Sequence, residues 1–262
     1  MFADERRAEI VQLVSEQQTV TVNQLIERYQ VSIETIRRDL AYLEQQNLLK
    51  RVHGGAVSMH RMQQFEKLSE RVNRNRPEKI EAAQAAIGLL SEGDHILLDS
   101  GSTAREIALL LTERFQSLTV ITHSLEVMQI LSQKEGFHLI QIGGEFLRSE
   151  KAFYGYQAQA MLSELHAQKA LLCPTSVSLR QGLGDYMPEL IPMQRALCEA
   201  ADEVIAVADS SKLDRVAAYR ICTLTPSVLL ATDSKAPEEF LQGCRAKGIR
   251  VYLPKNEEEK TK

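Results

Sequence analysis

The chain has 262 residues, 44% hydrophobic and 25% charged, the composition of an ordinary globular protein with enough apolar material for two domains. No apolar run approaches the roughly 20 residues that cross a bilayer, and the first residues read as a charged helix rather than a secretory signal, so a cytoplasmic protein with no membrane partner is expected. Four scattered cysteines and six scattered histidines, with no C-x-x-C pair and no metal-ligand spacing, predict buried thiols and no metal site.

The first predicted element is a helix from about Asp4 to Gln17, with Ile10, Leu13 and Val14 on one face. Thr21 then caps a short helix, Val22 to Tyr29, whose Leu25 and Ile26 face inward, and Gln30-Val31 makes a turn. Ser32 caps a third helix, and Glu34 places negative charge where the helix dipole is positive. Ile33, Ile36, Leu40 and Leu43 recur at three- and four-residue spacing, which buries one stripe and leaves Glu34, Thr35, Arg37, Arg38 and Tyr42 toward solvent. After it, apolar runs at Leu48-Leu49 and Ala56-Val57 flank a basic, glycine-bearing tip, Lys50 to Gly55. An exposed arginine pair is by itself an ordinary solvated face. Helix, capped helix, capped basic helix and glycine-bearing wing in that order predict a winged helix-turn-helix over 1–57, whose third helix enters the major groove of double-stranded DNA.

Charge qualifies that reading. The net charge is −4, and residues 1–57 hold seven Lys/Arg against eight Asp/Glu. Residues 58–79 hold six against three, leaving eighteen against twenty-four in 80–262. Binding cannot rest on bulk charge. It needs Arg37, Arg38, Lys50 and Arg51 on one surface, and a homo-oligomer, dimer or tetramer, to multiply phosphate contacts.

Residues 58–79, with Arg61, Lys67, Arg71, Arg74 and Arg76, read as a linker, either a solvated connecting helix or a basic stretch along DNA phosphate. From 80 to 255 helices and strands alternate: helices at 82–90, 104–115 and 125–133, and strands at 96–98, 118–121, 137–142, 169–172, 203–208, 227–231 and 249–253. Short, continuously apolar strands predict a mainly parallel α/β sheet covered on both faces. Residues 255–262 read as a frayed tail.

Ligands of such sheets bind at the carboxyl ends of the strands, and these ends are polar here. Asp99-Ser100-Gly101-Ser102-Thr103 leads into a helix and can cradle a phosphate. Thr122-His123-Ser124, Gly143-Gly144-Glu145 and Asp209-Ser210-Ser211-Lys212 end three further strands. Turns and caps favour the same residue types, and Gly143-Gly144 is equally a tight turn. Arg195, at the start of a helix, is a candidate partner for phosphate or carboxylate.

Ser32-x-x-Thr35-Ile36-Arg37-Arg38-Asp39-Leu40 followed by Arg51-x-His53-Gly54-Gly55-Ala56 resembles the DeoR family of bacterial sugar-metabolism repressors. The resemblance implies that Ser32, Thr35, Arg37 and Arg38 contact DNA, with Lys50, Arg51 and His53 of the wing on phosphates. Either arginine could read a guanine edge. An ion pair between Asp39 and a neighbouring arginine is expected. Asp99 to Thr103, Gly143-Gly144-Glu145 and Asp209 to Lys212 are similar to the family's sensor domain, which implies a phosphorylated-sugar effector, no cofactor, and an α/β fold resembling ribose-5-phosphate isomerases. An isomerase carrying a DNA-binding module is the competing reading. Its catalytic glutamate aligns at or near Gln194, which cannot act as a base, although Glu189 and Glu199 are close in sequence. The chain departs from the family between Leu171 and Arg195, where Pro174, Pro188 and Pro192 stand in the segment that would select the sugar. That departure leaves open a repressor whose second domain only oligomerises.

Overall fold

The computed structural model describes residues 3–17, 19–46, 48–52, 54–58 and 68–254. The chain divides into two compact units between residues 66 and 67.

The first unit contains α1 (Ala3–Gln17), β1 (Thr19–Thr21), α2 (Val22–Tyr29), α3 (Ile33–Gln45), β2 (Leu49–Val52) and β3 (Gly55–Ser58). Thr21 and Gln24 form a reciprocal capping box at the start of α2, which ends at Gln30 in the left-handed conformation. Ile10, Val14, Leu25, Ile36, Leu40 and Leu43 close one core. Ile33 was expected in the buried stripe, yet it is 42% exposed; it is the first residue of α3, and burial on that helix begins at Ile36. The wing is an antiparallel β2–β3 hairpin, and β1 adds a third strand beside β3. Gly54 takes φ +82°, and a β-carbon on Gly55 would lie 2.1 Å from the Val20 carbonyl oxygen, so the two glycines let the wing turn and then press against β1.

The second unit begins with α4 (Leu68–Arg71) and α5 (Arg76–Ile87). Residues 68–79, read above as linker, therefore fold with it: Leu68 and Lys79 are buried, and the Lys79 ammonium donates to the carbonyls of Arg71 and Arg74. There follow β4 (His95–Leu98), α6 (Ser102–Arg114), β5 (Leu118–Thr122), α7 (Leu125–Leu131), β6 (Phe137–Gln141), the hairpin β7 (Glu145–Leu147) and β8 (Ala152–Tyr154), and α8 (Tyr156–Ser163). The chain continues through β9 (Ala167–Leu172), β10 (Ser176–Ser178), β11 (Gly182–Asp185), α9 (Ile191–Glu199), β12 (Ala201–Val207), a 3₁₀ turn (Ser210–Lys212), β13 (Tyr219–Cys222), β14 (Val228–Ala231), α10 (Glu238–Ala246) and β15 (Val251–Tyr252).

Seven strands form one sheet in the order β15-β14-β12-β9-β4-β5-β6, with every pairing parallel. Ile96 and Leu98 join the core on one face and Leu97 the core on the other, which is why these strands are apolar throughout. The chain winds outward from β4 through β5 and β6, then returns to β9 on the other side of β4. The crevice between β4 and β9 is thus the topological switch point, where such sheets bind ligands. A separate antiparallel sheet, β10-β11-β13, carries Asp185 at the end of β11.

Candidate functional site

In the first unit, Ser32 Oγ accepts the Thr35 N–H at 3.2 Å and lies 2.9 Å from the Thr35 hydroxyl, so both side chains sit at the start of α3. Arg37 and Arg38 are exposed on the same helix. Arg37 meets Glu34 at 3.1 Å, but both side chains are more than half exposed, and such a pair is weak enough for DNA to displace. Arg38 has no hydrogen-bond or ion-pair partner among the described residues. Asp39 turns inward instead, 1% exposed, and accepts Nε–H groups of Arg6 at 2.7 Å and Arg7 at 2.9 Å. The ion pair expected of Asp39 is made, with α1 rather than with its own helix. The Arg51 backbone N–H donates to Glu44 at 3.0 Å, tying the wing to α3 while its side chain stays exposed. His53 lies outside the described residues, as does the side chain of Lys50.

In the second unit, β12, β9, β4 and β5 are consecutive neighbours, which brings residues after 207, 172, 98 and 122 to one rim. Asp99 is fully buried at its centre, accepts three hydrogen bonds and has the His123 ring against it. Oδ1 takes the Ser100 N–H at 2.7 Å and faces His123 Nε2 at 3.0 Å; Oδ2 takes the Cys173 N–H at 3.0 Å and Gln194 Nε2 at 3.3 Å. His123 Nδ1 lies 2.9 Å from the Phe153 carbonyl, which can only accept, so the ring is locked between hairpin and loop. Asp99 is therefore an organiser of the rim, not a free ligand contact. Gln194 stretches its amide nitrogen from Asp99 to Asp185 Oδ2, at 3.1 Å, and its buried Oε1 has no partner among the described residues. Burial pushes the Asp185 carboxyl upward, although Gln194 and two backbone N–H groups oppose the shift.

Gly101 has φ +103° with open space where a β-carbon would stand, and no side chain caps the start of α6. The first-turn N–H groups of α6, flanked by the buried Ser102 and Thr103, are thus available to an anion. Across the rim, Asp209 Oδ1 accepts from the backbone and hydroxyl of Ser211, whereas its buried Oδ2 has no partner among the described residues. Burial lowers the Lys212 ammonium pKa, Asp209 opposes that shift, and the charges of Arg71, Arg74 and Arg215 add to it. The Lys212 ammonium has no hydrogen-bond or ion-pair partner among the described residues, while its backbone N–H donates to the Asp209 carbonyl at 2.9 Å.

Other expected residues do structural work. Thr122 Oγ1 accepts the Ser124 N–H in a tight turn. Gly144 takes φ +143°, and a β-carbon there would stand 2.5 Å from the Tyr154 carbonyl, so it permits the β7–β8 return; Gly143 precedes it in open space. Glu145 is exposed beside the Tyr154 hydroxyl, whose pKa its charge raises. Arg195 does not join the Asp99 network, because its guanidinium is spent on the carbonyls of Arg220, at 2.6 Å, and Ile221, at 3.3 Å. His123 lies in a strand-end loop and Gln194 at the aligned glutamate position, both read from sequence, whereas Asp185, Arg71, Lys79 and Glu150 belong to the neighbourhood but were not placed there from sequence. Only their mutual contacts across the fold reveal them. Glu189 and Glu199 are exposed, and the amide of Gln194 cannot take a proton from a sugar.

A reading helix on one unit and a polar crevice at the switch point of another define a DNA-binding regulator with a small-molecule sensor. Comparison with known proteins agrees. Residues 6–62 match the DeoR-like helix-turn-helix domain, and residues 74–234 match the DeoR C terminal sensor domain. Transcriptional repressor AccR of Agrobacterium fabrum is 34% identical over 231 residues, covering 88% of this chain and 89% of its own. The lactose phosphotransferase system repressor of Streptococcus mutans is 35% identical over 234 residues, covering 86% and 91%. This chain belongs to the DeoR family of transcriptional repressors of sugar metabolism. Among solved structures, ribose 5-phosphate isomerase A of Methanocaldococcus jannaschii is similar at 21% identity, with 53% of this chain and 55% of that chain covered and a TM-score of 0.39.

Proposed function

We propose that this protein represses genes of carbohydrate metabolism and releases its operator when a phosphorylated sugar enters the crevice between β4 and β9. The observation that carries the effector is the set of unmatched polar groups there. Lys212 and the uncapped start of α6 call for an anion, while Gln194 Oε1 and Asp209 Oδ2 call for hydrogen-bond donors. A buried unsatisfied polar atom costs about 1–3 kcal/mol, and one ligand with a phosphate and several hydroxyls would satisfy all of them. The names of relatives support the gene class, since one is a lactose phosphotransferase system repressor. Operator binding by a symmetric homo-oligomer follows from the small cation count of residues 1–57, seven against eight acidic residues. Repression is relieved only if the effector prefers the state that does not hold DNA, because equal affinity shifts nothing.

A thermal-shift panel of aldose and ketose phosphates, each beside its unphosphorylated parent, tests the effector. At least one phosphate should raise the melting temperature and its parent sugar should not. No response to any phosphate would refute the effector half and leave the DNA half standing.

A further inference from the structure

A largely buried ion pair of the second unit has no part in the network already described. Arg71, the last residue of α4, pairs through Nη2 with Glu150 Oε2, with side chains 16% and 7% exposed. The Arg71 Nε is also buried, with no partner among the described residues. A guanidinium built for two parallel bonds is thus engaged on one edge only. Leu68 N–H donates to the Ser149 carbonyl, so both ends of α4 are pinned to the segment that carries Glu150. The charge of Arg71 is felt at Lys212 and Lys79, while Glu150 is close enough to Asp99 and Asp185 to feel both carboxylates. The pair is therefore near enough to both the lysines and the carboxylates of the crevice to interact with them.

We propose that Arg71 is an anion-binding residue of this site, and that Glu150 is an internal carboxylate that occupies it until the effector's phosphate takes its place. The inference rests on the sensor reading above and adds its regulation. A phosphate offers Arg71 two oxygens in the geometry its Nε and Nη2 edge matches, which Glu150 does not provide. Exchange frees α4 from Glu150 and binds it to the ligand. Because α4 begins two residues past the boundary between the units, the exchange acts on the segment through which the chain enters the sensor.

The exchange also predicts a proton. Glu150 faces Arg71 of α4, Asp185 of β11 and Asp99 after β4; burial lifts its carboxyl, and of these groups Arg71 alone holds it down. A displaced Glu150, left among carboxylates, takes up a proton.

Calorimetric titration of the full chain with inorganic phosphate and with methyl phosphate, in two buffers of different ionisation enthalpy, tests this. Glu150→Gln removes the competitor and should tighten phosphate binding about tenfold or more, the effect of one charge-assisted hydrogen bond. It should also bind phosphate with less proton uptake than the wild type, the difference being the proton that Glu150 would take. The double variant Arg71→Met with Glu150→Gln leaves no buried charge unpaired and should bind about tenfold more weakly than Glu150→Gln alone. If Glu150→Gln changes neither affinity nor proton uptake while Lys212→Met abolishes binding, the role of Arg71 is refuted and the sensor reading stands. If no variant, nor the wild type, binds either phosphate or the sugar phosphates above, both readings fall.

Discussion

At the residue scale, adjacent side chains in α3 do opposite jobs because a helix turns by about 100° per residue. Arg37 and Arg38 face solvent, while Asp39 is buried between Arg6 and Arg7 and holds α1 to α3. Arg38→Ala should leave the melting curve unchanged and weaken specific DNA binding by about 1–3 kcal/mol if its guanidinium reads a base edge, as gel-shift titration against a selected site would measure. Asp39→Asn strands two arginines and should cost about 3–5 kcal/mol of stability in urea unfolding. A loss below 1 kcal/mol would mean that the pair is not a structural bolt. Lys79 tests burial in the second unit. Its ammonium pKa is pushed down from 10.5 to about 8, chiefly by desolvation. A cation with a lowered folded pKa holds fewer protons folded than unfolded, so stability rises with pH between the two values. The melting temperature of the wild type should therefore climb relative to Lys79→Met between pH 8 and 10.5, and parallel curves would contradict the shift.

At the scale of elements, the wing and the sheet were legible in the sequence for different reasons. Capping residues and three-four spacing gave α2 its observed limits, Val22–Tyr29, and the apolar runs at 96–98 and 118–121 fell inside β4 and β5. The antiparallel sheet β10-β11-β13 was not foreseen, since β11 is Gly-Leu-Gly-Asp and carries no alternation to read. The site was half legible. Asp99, Asp209 and Lys212 stand out as polar residues after apolar strands. Their partners His123, Cys173, Gln194 and Asp185 meet Asp99 or one another across the fold, and no local spacing encodes such contacts. Arg71 was visible only as part of a charge run, although Ala82, Ala83 and Ala86, buried on the helix that starts at Arg76, mark where the run joins a core. The wing offers a test at this scale. Gly55→Ala would drive a methyl into the Val20 carbonyl and part β1 from β3, costing about 1–3 kcal/mol. Gly54→Ala meets open space and should cost only the left-handed strain, about 1–2 kcal/mol. Urea unfolding should find Gly55→Ala the less stable of the two, and the reverse order would contradict the close approach of β3 to β1.

At the scale of the whole molecule, the chain joins a nearly neutral DNA-reading unit to a sensor whose crevice holds buried polar atoms, Gln194 Oε1 and Asp209 Oδ2, without partners among the described residues. The reading unit supplies position rather than charge, so its hold on DNA should be strongly dependent on assembly and salt. In the function proposed above, the sensor supplies the condition for release and Lys212 answers a phosphate. Titrating a responsive sugar phosphate into wild type and Lys212→Met, with DNA binding measured on the same samples, tests that claim directly. Lys212→Met should bind DNA as the wild type does and lose about 10- to 100-fold in affinity for the sugar phosphate, the worth of one charged hydrogen bond. Equal affinity for the sugar phosphate in both proteins would contradict it.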